Sequence, residues 1–118
     1  MIHFKRADRV GGQLQKEISD LLQKKIRDPR LDFVTIMRVN ITDDLRSARV
    51  YFSVSEGGSK IDVMAGFKSA SGYLRRKLSN RLKLRYIPEL EFLYDESFDR
   101  ATKVDKVLKA IRNGNQMG

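Results

Sequence analysis

The sequence predicts an α+β sandwich of two layers, with helices covering one face of a three-stranded sheet. Three observations carry that expectation. Apolar residues recur at three- and four-residue spacing near the start and the middle of the chain, and they alternate at a spacing of two in short stretches between. Glycines, prolines and paired aspartates separate these stretches. At 118 residues the chain has room for one core, and three short strands cannot bury both sheet faces deeply. One domain over residues 1–113 and a loose tail over 114–118 follow.

The first element is a helix. Val10, Leu14, Ile18, Leu21, Leu22 and Ile26 form its apolar stripe, while Arg9, Gln13, Lys16, Glu17, Lys24 and Lys25 lie off it. Asp28-Pro29 ends it, because the residue before proline is pushed out of the α region. Gly11-Gly12 costs about 1 kcal/mol per glycine inside a helix, so the first turns are expected to fray. Phe33 to Thr42 reads as a strand whose apolar parity shifts between Val34/Ile36 and Val39/Ile41, which predicts a bulge. Ala48, Val50, Phe52 and Val54 alternate with polar neighbours as a second strand, joined to the first through Asp43-Asp44.

Gly57-Gly58 breaks the chain, and Ser59 with Asp62 signals a helix start. Ile61, Met64, Phe67, Leu74 and Leu78 are expected inward. Ala70-Ser71-Gly72 is a small-residue patch able to kink the helix. Beyond Pro88, Leu90, Phe92 and Tyr94 alternate as a third strand. Phe98, Ala101, Val104, Leu108 and Ile111 describe a last helix, stopped by Asn113-Gly114. The order α-β-β-α-(kink)-α-β-α matches, through the third strand, the type II K-homology (KH) arrangement.

The net charge is +9, and most of it is concentrated. Residues 64–88 carry seven basic side chains and no acidic one, whereas residues 31–63 and 89–118 are each slightly acidic. A focused positive field suits a polyanion; the plainer reading is a solubilising face. The cations are Lys68, Arg75, Arg76, Lys77, Arg81, Lys83 and Arg85, set around Ala70-Ser71-Gly72. Lys68, Gly72, Arg75, Arg76 and Ser79 fall near one helical face. Glycine there lets a phosphate backbone approach closely, and the cations supply the potential. The competing explanation is that Gly72 merely permits tight helix packing. K-homology modules use a GxxG loop for this purpose, and none lies between the helices here. Tyr51 and Tyr73 are candidates for base stacking, with core or edge packing as the alternative.

Other classes are poorly supported. The chain has no cysteine, so disulfides, thiolate metal sites and cysteine nucleophiles are excluded. His3 is the sole histidine, and no Walker motif, dinucleotide fingerprint or nucleophile elbow occurs. Asp95, Glu96 and Asp99 suit a hard cation on paper, but carboxylates at a helix start also favour its dipole. No enzyme, cofactor, metal or small-molecule substrate is expected. No apolar run is long enough to span a bilayer. The N-terminus Met1-Ile2-His3-Phe4-Lys5-Arg6 has no apolar segment of a secretory signal. A cytoplasmic protein without membrane partners follows.

Several segments together resemble the ribosome-binding factor A family. They are Gln15-Lys16-Glu17-Ile18, Asp28-Pro29-Arg30-Leu31, Phe33-Val34-Thr35, Val39 to Asp44, Ala48-Arg49-Val50-Tyr51, Ala70-Ser71-Gly72, Leu82-Lys83-Leu84-Arg85, Pro88-Glu89-Leu90, and Phe92-Leu93-Tyr94-Asp95-Glu96-Ser97. The resemblance runs from about Arg6 to Ile111. It implies a type II KH-like fold in which Ala-x-Gly replaces GxxG and kinks the helix pair. It also implies a monomeric factor that binds free 30S subunits, contacts 16S rRNA including its 5′-terminal helix region, and assists late maturation and rRNA processing. Release before translation and a link to growth in the cold are further implications. The basic track, joined by Arg9 and Lys16 of the first helix, is then expected to dock on rRNA phosphates. A protein–protein adaptor using an exposed helix stripe or sheet edge is the rival reading, and metal-dependent RNA processing a distant third.

Overall fold

In the computed structural model, which describes residues 6–97, one sheet and two long helices enclose a single core. The first helix, α1, spans Arg6–Lys24 and buries Ala7, Val10, Leu14, Ile18 and Leu21. It does not fray at its glycines. Gly11 is buried where the helix crosses the first strand, and a Cβ there would stand 2.9 Å from the Val39 carbonyl oxygen. The helix can lie this close because position 11 has no side chain. At its far end, the N–H groups of Lys25 and Ile26 both donate to the Leu21 carbonyl. Asp28 then caps a 3-10 turn over Pro29–Leu31, accepting from the Arg30 N–H at 3.0 Å.

Strands β1 (Val34–Ile41) and β2 (Ser47–Val54) pair antiparallel. Their register shifts between Ile36 and Arg38, so the expected bulge falls at Met37. It returns Val39 and Ile41 to the side of Ile36, which rescues the inward face. The loop between the strands is held by Asp44, which accepts from the Thr42 hydroxyl at 2.6 Å and the Arg46 N–H at 3.0 Å. Leu45 takes a left-handed conformation there, φ 61°.

Helix α2 spans Lys60–Arg81, with Ser59 Oγ accepting from the Asp62 N–H. It runs unbroken through Ala70-Ser71-Gly72, so the expected pair of helices separated by a kink is one continuous element. The patch contains no proline, and one glycine costs only about 1 kcal/mol, too little to stop a helix anchored along its length. The buried face also differs from the expected one. Val63, Gly66, Phe67, Ala70, Leu74 and Leu78 point inward, whereas Met64 is exposed and Ile61 is 82% exposed. Gly66 seats α2 on the 3-10 turn, where a Cβ would meet Leu31 Cδ2 at 2.9 Å. That long-range contact rotates the helix so that Val63, not Ile61 or Met64, completes the stripe.

Strand β3 (Glu89–Tyr94) pairs parallel with β2, giving a mixed sheet of order β1-β2-β3. Phe67 of α2 stacks on Phe92 of β3 at 4.1 Å and meets Phe52 of β2 edge-on at 5.1 Å. Tyr94 adds a second edge-on contact to Phe52 at 5.8 Å. These rings fasten α2 to the central and outer strands. The expected last helix over Phe98 to Ile111, and the tail after it, lie outside the described residues.

Candidate nucleic-acid interface

Helix α2 presents its basic face away from the core. At about 100° per residue, Lys68, Gly72, Arg75 and Ser79 fall along one line, with Arg76 beside them. All five are exposed. Among the described residues, nothing comes within 4 Å of a Cβ built on Gly72, whereas Gly66 is packed tightly on Leu31. What Gly72 leaves is an open notch in a positive face, flanked by Lys68, Arg75 and Arg76. Ser71 is also exposed, and its Oγ donates to the Lys68 carbonyl at 2.9 Å. Ala70 faces the core.

The remaining candidates divide. Lys77 sits on the flank of α2, over the half-buried ring of Tyr73 at 5.6 Å. Lys83 and Arg85 are exposed on the loop into β3. Arg9 and Lys16 are exposed on α1, about two turns apart, with exposed Gly12 between them. Among the described residues, none of Arg9, Lys16, Lys68, Arg75, Arg76, Lys77, Lys83 or Arg85 has an ion-pair partner. Arg81 is the exception. Its Nη1 donates to Asp20 at 2.7 Å and to Glu17 at 2.9 Å, tying α2 to α1. Arg81, expected as part of the basic track, is thus the one track cation already engaged by carboxylates among the described residues.

The tyrosines favour packing. Tyr51 lies half-buried under the Arg38 guanidinium, 4.2 Å from its ring centroid, on the side of the sheet away from the helices. Tyr73 is packed against the core. Tyr86, absent from the sequence-based candidates, is the exposed aromatic beside the basic track. It follows Arg85 directly in the chain, but no pattern in the sequence marked it as exposed.

The acidic residues at the end of β3 make local hydrogen bonds. Asp95 is buried and accepts from the Ser97 N–H at 3.0 Å and the Ser97 hydroxyl at 2.7 Å. Among the described residues no group of three His, Cys, Asp or Glu side chains is placed to hold a metal ion. Asp99 lies outside them. No described helix is long and apolar enough to cross a membrane.

A KH-like α+β domain with a basic helix face unpaired among the described residues has the features of a small RNA-binding protein. The comparisons make this specific. The sequence model of the family described as ribosome-binding factor A matches residues 6–108, and the chain belongs to that family. A ribosome-binding factor A from Desulfatibacillum aliphaticivorans is 50% identical over 107 residues, covering 90% of this chain and 87% of the relative. Among solved structures, the crystal structure of ribosome-binding factor A from Thermus thermophilus superposes with a TM-score of 0.68 at 25% identity, covering 75% of this chain and 93% of that one. A Thermus thermophilus ribosome binding factor A fitted into the cryo-EM map of a 30S complex shares the fold, with a TM-score of 0.64 at 24% identity over 76% of this chain and 96% of that one. The family is one of ribosome-binding factors rather than enzymes.

Proposed function

We propose that this chain is a cytoplasmic, monomeric assembly factor that binds free 30S subunits through the phosphates of 16S rRNA and assists late maturation and rRNA processing. Gly72 carries the reading. It is an exposed glycine in mid-helix, packed against nothing and set among Lys68, Arg75 and Arg76, none of which has an acidic partner, among the described residues. A phosphate group can approach the helix backbone there, with cations on either side. Lys83 and Arg85 extend the contact beyond α2, and Arg9 and Lys16 offer a second line of charge on α1. Binding would hold an immature rRNA conformation and keep the subunit out of premature use. The mechanism is one of occupancy, with no bond made or broken.

Co-sedimentation with free small subunits and with assembled ribosomes, across a salt series, tests this. Binding to free subunits alone is expected, with about five phosphate contacts giving a log–log salt slope of about −3 to −5. Arg75→Glu with Arg76→Glu should abolish binding and leave thermal unfolding nearly unchanged, because neither side chain has an ion-pair partner among the described residues. Full binding by that double variant would reject the site. A partner retained after nuclease treatment would favour a protein adaptor instead.

A further inference from the structure

Away from the notch, the start of α1, the β1–β2 loop and the loop into β3 converge on one cleft. Arg6, Arg46, Arg85 and Tyr86 line it, over apolar Leu45, Leu84 and Ile87. Two features set it apart from an ordinary solvated surface. Tyr86 is 73% exposed, a large aromatic face left to water, with the Arg85 guanidinium 5.4 Å from its ring centroid. Beside it, Leu45 is held in a left-handed conformation that a leucine rarely adopts, its side chain packed on the core. The lining acid, Asp44, is engaged by the Thr42 hydroxyl and the Arg46 N–H. Among the described residues, Arg6, Arg46 and Arg85 form no ion pair.

An exposed ring among three guanidiniums matches the parts of one nucleotide strand: a base to stack and phosphates on either side. Inside a duplex the base faces are already stacked on one another, so an unpaired strand is what offers a face to such a ring. We propose that this cleft is a second RNA site, which takes a single-stranded segment with one base on Tyr86 and flanking phosphates on Arg6, Arg46 and Arg85. The proposal rests on the reading of the chain as a binder of ribosomal RNA and specifies which form of RNA this end of the molecule accepts. The α2 notch needs only phosphates; this cleft needs an unpaired base.

The chain has no tryptophan, so Tyr86→Trp installs a single reporter in the full-length protein. Its fluorescence should be quenched by a short oligoadenylate and not by an RNA duplex whose ends are closed by covalent linkers. Tyr86→Ala should weaken oligoadenylate binding by about five- to one-hundredfold, while Tyr86→Phe keeps the stacking face and the affinity. Arg46→Gln should reduce the salt slope by about 0.7, the share of one phosphate contact on a single strand. An unquenched Trp at high oligoadenylate, or wild-type affinity in Tyr86→Ala, would overturn the cleft. Subunit co-sedimentation separates the two readings. If it persists, still sensitive to Arg75 and Arg76, while the Trp is unmoved, the cleft alone falls. If it fails while the Trp is quenched, the assembly-factor reading falls and the cleft stands. Loss of subunit binding in Tyr86→Ala with oligoadenylate binding intact would assign the cleft to an acidic protein surface and overturn the RNA proposal.

Discussion

Arg81 Nη1 lies 2.7 Å from Asp20 Oδ2, joining the last turn of α2 to the outer side of α1. The same nitrogen reaches Glu17 at 2.9 Å, and Asp20 also holds Lys24 at 2.9 Å. The Arg81 hydrogen bond, and after it the Lys24 one, hold the Asp20 carboxyl below its ordinary range. Arg81→Gln should therefore lower the melting temperature near neutral pH. A depressed carboxylate stabilises the fold above its unfolded pKa, and that contribution is lost as pH falls through the folded pKa. The gap between wild type and Arg81→Gln should close in acid, below the usual aspartate range. A gap that stayed constant down to about pH 2 would show that the ion pair is not its source.

Adjacent glycines in α1 should respond oppositely to alanine. At Gly12 nothing among the described residues lies within 4 Å of the added methyl, so helix propensity acts and Gly12→Ala should stabilise by about 0.5–1 kcal/mol. At Gly11 the methyl meets the Val39 carbonyl at 2.9 Å, a backbone atom that moves only if β1 moves. The crowding costs about 1–3 kcal/mol and offsets or exceeds the propensity gain. Chemical denaturation of the two variants should place Gly12→Ala above Gly11→Ala, and the reverse order would contradict the helix-on-strand contact.

Stability and binding should part company at Gly72. Gly72→Ala adds a methyl into space left open by the described residues and should raise stability by about 0.5–1 kcal/mol. The same methyl fills the notch between Lys68, Arg75 and Arg76 and should weaken subunit binding. A variant both more stable and fully competent would mean that phosphate does not enter there.

Features set by local chemistry were legible in the chain, and those set by distant neighbours were not. The bulge at Met37 announced itself because the apolar parity of β1 slips at that point, and sheet burial punishes a slip at once. Asp28-Pro29 and Ser59 likewise act within a few residues of themselves. Ile61 and Met64 misled because helical spacing admits more than one stripe; the choice was made by Leu31 pressing on Gly66 from another part of the chain. Gly11 looked like a weakness because its reason is a carbonyl on β1. For the site, the charged face of α2 was visible as composition, but the capture of Arg81 by α1 was not, since its acids stand far earlier in the chain, at Glu17 and Asp20. Nor does any pattern distinguish an exposed tyrosine from a buried one in a loop such as that holding Tyr86.

The parallel pairing of β3 with β2 also bears on how the molecule assembles itself. β1 and β2 are neighbours in sequence and can close as a hairpin, whereas β3 cannot register until α2 has been laid across the sheet. Chain closure over that long crossover should be the late event in folding. Core truncations in β2, such as Val50→Ala, should then slow refolding, while Phe92→Ala in β3 should act mainly by speeding unfolding. Equal effects of both on the refolding rate would refute this order. Because the loop bearing Arg85 and Tyr86 hangs between α2 and β3, it takes its shape only when that last strand docks. The loop of the proposed second cleft thus forms at the final step of folding, after the basic face of α2 is already in place.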